Sequence, residues 1–225
     1  MSASAVLFSG GLDSAVLLAQ ETTLSEPVHP IHVRAGLAWE PAESRAIARL
    51  LAAAPFAGKT RAVASLALDM RDVYPASHWA VEGRPPAYDT PDEDVYLEGR
   101  NIVLIAKAAV LCARLEVSRL LLGPLAGNPF PDATPIFFDT MSSAMSHGLG
   151  RTLEIAAPFA HLDKEDVIAL GVRLGVPLAL TLSCMNPQDD LHCGLCSKCR
   201  ERQDAFREAG ISDPTEYARQ WTGRA

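Results

Sequence analysis

The 225-residue sequence has no uninterrupted apolar run of about 18 residues, so a helical membrane span is excluded. It has no basic stretch ahead of an apolar segment at its start, so no signal peptide is expected and a cytoplasmic location is the default. It has no basic excess either. Twenty Lys and Arg against 27 Asp and Glu leave a net charge of −7, whereas a chain that clamps duplex DNA or tRNA over many phosphates carries a positive field. A small-molecule substrate is therefore expected in place of nucleic acid. Internal repeats and low-complexity segments are missing. Cysteine is scarce and odd in number: of 5, all but Cys112 crowd into residues 184–199, which argues against a disulfide framework. Apolar residues are plentiful at 48%, enough for the core of one large domain, or one domain with a small appendage.

Strand-like and helical patterns alternate along the chain. Residues 5–8 read as a strand, 14–20 as a helix, 28–33 as a strand, 41–54 as an Ala-rich helix opened by Pro41, and 60–66 as a third strand. Residues 74–94, with Pro85, Pro86 and Pro91, read as a long loop of the lid or binding type. Residues 101–115 are apolar nearly all round and predict a buried helix. A strand over 119–122 ends at Gly123 and Pro124, and a second loop spans 128–132. A helix near 138–146 and a strand near 153–156 follow. Asp163 is placed to cap a helix over 164–174, with Asp166 in the manner of a capping box and Gly175 as its stop. This order predicts an α/β fold, a Rossmann-like parallel sheet with helices on both faces. Ligands of such sheets bind beyond the C-terminal strand ends. The expected division is an α/β domain over 1–180 that binds the ligand and a small helical, zinc-binding C-terminal subdomain over 181–225.

The string SGGLDS (9–14) falls at such a strand end. No lysine follows its glycines as in a Walker loop, and the dinucleotide GxGxxG is absent. Gly10 and Gly11 remove side chains where a ligand must approach the backbone, and Ser9 and Ser14 add hydroxyls. Successive amides and a helix N-terminus favour an anion, and a phosphate fits. The pattern resembles the PP-loop of ATP pyrophosphatases. That resemblance implies ATP bound by Ser9, Gly10, Gly11, Leu12, Asp13 and Ser14, with Asp13 helping to hold Mg²⁺.

Cys184, Cys193, Cys196 and Cys199 give C-x8-C-x2-C-x2-C. Four thiolates can close a tetrahedral site around Zn²⁺, contributing on the order of 10 kcal/mol to folding of the segment. Gly194 suits a turn among the ligands. An iron–sulfur cluster is the competing reading, and the nearness of the fourth cysteine favours zinc. Cys112 reads as core. His32, His147, His161 and His192 show no triad or metal spacing and read as structural or solvated.

Loop and cysteine segment together resemble one family, the 7-cyano-7-deazaguanine synthases (QueC, ExsB) of queuosine biosynthesis. EGRNIVLIAKAAVLCA (98–113) resembles its GRN segment, PFPD (129–132) a shortened YPD motif, and HLDKEDVIALG (161–171) its DK-containing helix start. TLSCMNPQDDLHCGLCSKCRERQDAF (181–206) is similar to its zinc segment. The chain departs where the family has a Tyr-Gly-Gln-Arg/Lys-His-like run: RAGLAWEPAE (34–43) keeps Gly36 and Glu43 but not the polar triplet. Ala133 stands where the family has a cysteine, and the acidic residues expected before that motif are missing from GPLAGNPF (123–130). The substrate side is altered more than the ATP side.

The resemblance implies a ligase that adenylates 7-carboxy-7-deazaguanine and, with ammonia, forms the nitrile, releasing AMP and pyrophosphate. Arg100 is expected to grip a carboxylate or phosphate and Asn101 to cap its helix near the substrate. Asp132 is expected on the amino-pyrimidinone edge of the base. Lys164, a cation at a helix start where the macrodipole disfavours it, is expected on phosphate or a leaving group. No glutaminase domain is apparent, so free ammonia is the expected nitrogen source. A homodimer is compatible with the sequence. Three other readings stay open: a divergent relative that stops at the adenylate or amide and joins the acyl group to another amine, even a protein acceptor; a tRNA-modifying PP-loop enzyme; and a nucleotide-binding partner protein without chemistry.

Overall fold

A computed structural model gives the fold, and it describes residues 3–25 and 27–223. Five strands form one sheet: β1 (Ser4–Leu7), β2 (Val28–Arg34), β3 (Ala64–Ala67), β4 (Arg119–Leu121) and β5 (Glu154–Ala156). Their order is β3-β2-β1-β4-β5 and every pairing is parallel. The Rossmann-like expectation is met, with β1 central and the chain reversing direction across the sheet between β1 and β4. The helices are α1 (Leu12–Leu24), α2 (Glu40–Ala52), α3 (Trp79–Glu82), α4 (Arg100–Arg114), α5 (Pro135–Leu149), α6 (Lys164–Arg173) and α7 (Ser197–Glu208). Among the described residues no helix is long and apolar enough to cross a membrane.

The two sheet faces bury separate cores. On one, Val6, Leu17, Phe56, Phe159, Val167 and Phe206 pack from β1, α1, α6 and α7. On the other, Ile31, Ile105, Leu120, Phe138 and Ile155 pack under α4 and α5. Phe206 and Ala205 join the first core, so the expected break near residue 180 does not interrupt the packing.

Several local expectations are corrected. The helix over 100–114 is not buried all round: Ile105, Ala108, Ala109 and Cys112 face the sheet, while Ile102 and Val110 stand about half exposed on the far side. Its sequence is apolar on both faces, but α5 covers only part of it. The loop over 74–94 contains the short helix α3, capped by the His78 ring accepting from Ala80 N–H, and the start of a 3-10 turn at Asp92–Val95. Strand β3 begins at Ala64, and Thr60 makes only a single bridge to Val28. Asp163 occupies the N-cap position of α6, but its side chain makes no capping hydrogen bond.

β5 is an edge strand whose outer amides would face solvent unpaired. Two α5 serines one turn apart meet them. Ser142 Oγ accepts from Ile155 N–H at 2.8 Å and donates to Ile155 C=O. Ser146 Oγ does the same for Leu153, accepting at 3.0 Å.

Candidate active site

The strand ends of β1, β2 and β4 open into one continuous cleft of two joined cavities, about 440 and 280 Å³. The turn after β1 forms its floor. Gly10 adopts φ +75°, and a Cβ there would lie 3.1 Å from the Ile47 side chain, so both conformation and space require glycine. Gly10 C=O accepts from Leu182 N–H at 2.9 Å, tying the turn to the cysteine-bearing segment. Gly11 is the N-cap of α1, Gly11 N–H reaches Ser9 Oγ, and Ser14 Oγ donates to Gly11 C=O at 3.0 Å.

Ser9, Gly11, Leu12, Asp13, Arg100 and Lys164 all line the larger cavity, and Ser14 and Asn101 line the smaller. Leu12 commits its side chain to the core, leaving its main chain to face the cleft. Gly10 is buried behind the lining and acts through the shape of the turn. Asp13 Oδ2 accepts from Lys164 Nζ at 2.7 Å, while Asp13 Oδ1 is buried without any hydrogen-bond partner. Arg100 forms no ion pair among the described residues, and its Nε is likewise buried and unpaired. Both residues line the same cleft, and a buried acceptor and a buried cationic donor without partners are costly unless a ligand completes them. Asp13 Oδ1 is the kind of oxygen that Mg²⁺ takes alongside phosphates, as the donor set requires.

Asn101 and Asp132 sit differently from expectation. The N-cap of α4 is Gly99, and Asn101 lies inside the helix. The capping acceptor comes from elsewhere: Asp132 Oδ2 takes Asn101 N–H at 2.9 Å, and Asn101 Nδ2 donates to Asp132 C=O at 2.9 Å. Asp132 is buried beneath the cleft and does not line it. Burial raises its carboxyl pKa, against the Asn101 N–H and Arg100, which lower it.

Lys164 opens α6, and burial disfavours its charge, but Asp13 and Glu201 overcome this and raise its pKa. Glu201 Oε1 accepts from Lys164 Nζ at 3.0 Å, and its other oxygen pairs with Lys198. Glu201 is held down to about 2: burial opposes ionisation, and the two ammonium groups outweigh it.

The altered second segment also reaches the cleft. Glu40 accepts from the Ala35 and Gly36 amides, fixing the turn after β2. That turn presents Glu43, which is bonded to Trp39 Nε1 at 3.1 Å and to His32 Nε2 at 3.2 Å. Trp39 stacks on Trp79 with centroids 5.8 Å apart. His32, Glu43, Lys198, Glu201 and Arg202 were not foreseen as cleft residues. The charged run 198–202 inside the cysteine segment is the signal that could have found the last three. Arg202 is fully buried and donates to Thr181, Ser183, Thr215 and the Leu178 carbonyl.

The four cysteine sulfurs lie within 4.8 Å of one another, all buried. Three of the pairs measure 3.5, 3.9 and 4.0 Å. Tetrahedral zinc at its usual Zn–S distance sets sulfurs about 3.8 Å apart, so the set fits a single ion. The irons and sulfides of a cluster would push the sulfurs further apart. Cys184 Sγ accepts the Asn186 and Cys193 amides. Gly194 is at φ +76° and a Cβ there would overlap the Arg219 carbonyl at 1.9 Å. His192 Nε2 accepts from Ser183 N–H at 3.0 Å, and the ring is not part of the sulfur cluster. Cys112 is core, pushed up to about 12 by burial.

A parallel α/β sheet, a glycine turn at its central strand end with open charged atoms above it, and a closed four-cysteine set define a protein of the PP-loop class. A family model described as Queuosine biosynthesis protein QueC matches residues 3–210, and the chain belongs to that family. It is 34% identical over 231 aligned residues to a 7-cyano-7-deazaguanine synthase of Methanopyrus kandleri, covering 96% of this chain and 99% of the relative. Enzymes of the same name from Anaeromyxobacter dehalogenans and Xanthomonas campestris are 32% and 33% identical, covering 95% and 97% of this chain and 95% and 99% of the relatives.

Proposed function

We propose that this chain is an ATP-dependent adenylating ligase acting on 7-carboxy-7-deazaguanine. The observation that carries the reading is that Asp13 and Arg100, each with a buried side-chain atom lacking any partner (Oδ1 and Nε), line one cleft above the phosphate turn. Three relatives named for the nitrile product support the substrate. A carboxylate resists ammonia because its carbonyl carbon is shielded by negative charge. One carboxylate oxygen attacks the α-phosphorus of ATP and pyrophosphate leaves. Ammonia then attacks the acyl carbon, loses a proton and expels AMP, giving the amide. With a second ATP the amide oxygen is adenylated, and loss of AMP and the two N–H protons leaves the nitrile.

In this reading Ser9, Gly10, Gly11, Leu12 and Ser14 shape the phosphate turn, and Asp13 holds Mg²⁺, which neutralises charge on the departing pyrophosphate. Lys164 supports the leaving group, and Arg100 orients the carboxylate. Asp132 acts at one remove, holding Asn101 and the start of α4. Cys184, Cys193, Cys196 and Cys199 hold structural Zn²⁺. The demand on the protein is positioning and charge stabilisation.

A divergent relative that stops at the adenylate or amide and conjugates another amine is the second reading. It draws support from the 35–39 segment, where Ala35, Leu37 and Trp39 pack into an apolar cluster in place of a polar run. The test is AMP formation from ATP, ammonia and the acid, with product masses. Wild type should give nitrile. Asp13→Ala should abolish pyrophosphate release while remaining folded, and Arg100→Ala should slow AMP formation about 30- to 1000-fold. No stimulation by the acid would overturn the substrate, and a product ending at the amide would favour the second reading.

A further inference from the structure

The helix that follows the cysteines does more than close the metal set. Lys198 and Glu201, one turn apart on α7, line the same cavity as the phosphate turn, alongside Lys164 and Asp13. They form an unbroken chain of charges: Asp13 to Lys164 at 2.7 Å, Lys164 to Glu201 at 3.0 Å, then Glu201 to Lys198. Asp13 is part of the turn, so the chain runs from the phosphate turn to α7. Two ammonium groups share one carboxylate. Lys164 spends two of its three donors on Asp13 and Glu201. Lys198 spends one on Glu201, and among the described residues no second acceptor is present for it. Its side chain is about one quarter exposed, open on the cleft side.

We infer that Lys198 is a second phosphate-binding lysine, which exchanges its Glu201 partner for the pyrophosphate moiety when nucleotide enters. The inference rests on the ATP-dependent reading above and names a contact within it. Two lysines in the cleft balance Asp13 and Glu201. Bound pyrophosphate adds negative charge beside Asp13, and Lys198 is the nearer of the two lysines to being free to answer it. Lys164 cannot turn fully without abandoning Asp13. The ligand supplies the charge-assisted hydrogen bonds for which Lys198 has unused donors. Glu201 is thus a positioning residue that competes with the ligand for Lys198, and the cysteine segment contributes directly to the chemistry of the cleft.

Calorimetric titration of the zinc-loaded protein with magnesium pyrophosphate, and separately with AMP, tests this. Lys198→Met should weaken pyrophosphate about tenfold to a hundredfold and leave AMP unaffected, with zinc content and unfolding midpoint at wild-type values. Lys198→Arg should restore most of the affinity. Glu201→Gln should tighten pyrophosphate by about threefold or more, because it removes the competing charge. A purely structural role for Glu201 would weaken binding in that variant. Wild-type affinity in Lys198→Met, equal loss of AMP binding, no rescue by arginine, or weaker binding in Glu201→Gln would each overturn the assignment. So would a wild-type protein that binds no pyrophosphate, or a Lys198→Met defect cured by added zinc. None of these measurements uses the deazaguanine acid. A chain that binds pyrophosphate through Lys198 but is not stimulated by that acid would leave this contact standing and remove only the substrate.

Discussion

At the scale of single residues, the cleft assigns different work to carboxylates that look alike in the sequence. Asp13, on the cleft wall, keeps one oxygen without a hydrogen-bond partner, Glu43 is tied to a ring nitrogen and an indole, and Asp132 serves a helix start. Asp132 is the one whose environment makes a pH prediction. Burial raises its pKa above the ordinary 3.8, with partial opposition from the Asn101 amide and Arg100. The folded chain therefore holds this proton more tightly than the unfolded chain does. Stability from that proton is fully present below the unfolded value and is lost as pH rises through the folded value. Asp132→Asn keeps an acceptor for Asn101 N–H and removes the titration. Measured by urea unfolding, the variant should gain stability relative to wild type on going from about pH 4 to about pH 7. A difference between the two proteins that does not change with pH would show that Asp132 carries no such cost. The phosphate turn and the cysteines were legible because their chemistry is local: adjacent glycines, and ligands spaced for one ion. Asp132 was not, because its partner lies 31 residues away and no spacing rule connects them.

At the scale of elements, periodicity located all five strands and most helices, since burial on both faces leaves near-continuous apolar runs in a parallel sheet. Boundaries moved where tertiary contacts decide them. α5 extends to Pro135–Leu149, beyond the apolar stretch that announced it, because Thr134 caps its start by accepting from Phe137 N–H and Gly150 closes its end. The serines of α5 carried no readable signal, as Ser142 and Ser146 look like solvated positions in a helix. Their function depends on the edge of β5 lying beside them. Each serine satisfies both polar groups of one residue on that outer edge, Ile155 in β5 and Leu153 just before it. Ser142→Ala should leave the part-buried Ile155 amide and carbonyl without their protein partner and cost about 1 kcal/mol. Ser146→Ala should cost a similar amount, and the double variant should also expose an edge open to pairing with other chains. Denaturant midpoints with unchanged slopes, and light scattering of the double variant, measure both effects. Wild-type midpoints would show that water serves these groups equally well.

At the scale of the whole molecule, the two halves of the cleft are joined by the C-terminal segment. Leu182 N–H holds the Gly10 carbonyl behind the phosphate turn, Arg202 draws residues 178–183 and Thr215 onto α7, and α7 carries Lys198 and Glu201 into the cavity. Cys184 lies two residues after Leu182, and Cys196 and Cys199 bracket Lys198. The sulfurs thus clamp both ends of the segment that touches the turn. An ion bound by them contributes on the order of 10 kcal/mol to ordering such a segment, whereas the strands are held by two apolar cores, to which α7 adds only Ala205 and Phe206 on one face. Removing zinc should therefore act on the phosphate turn before it acts on the sheet. Hydrogen exchange on the zinc-loaded and chelator-stripped protein resolves this residue by residue. The Leu182 amide and the amides of residues 9–14 should lose protection together with 184–199, while Val6, Ile31 and Leu120 in the strands keep theirs. Unchanged protection at Leu182 after zinc removal would mean that the turn is set by β1 and α1 alone. Loss of protection throughout the sheet at the same time would mean that the cysteine segment and the core form one cooperative unit. The expected result, a loosened turn on an intact sheet, makes magnesium pyrophosphate affinity fall with zinc content even in a protein whose strands remain fully folded.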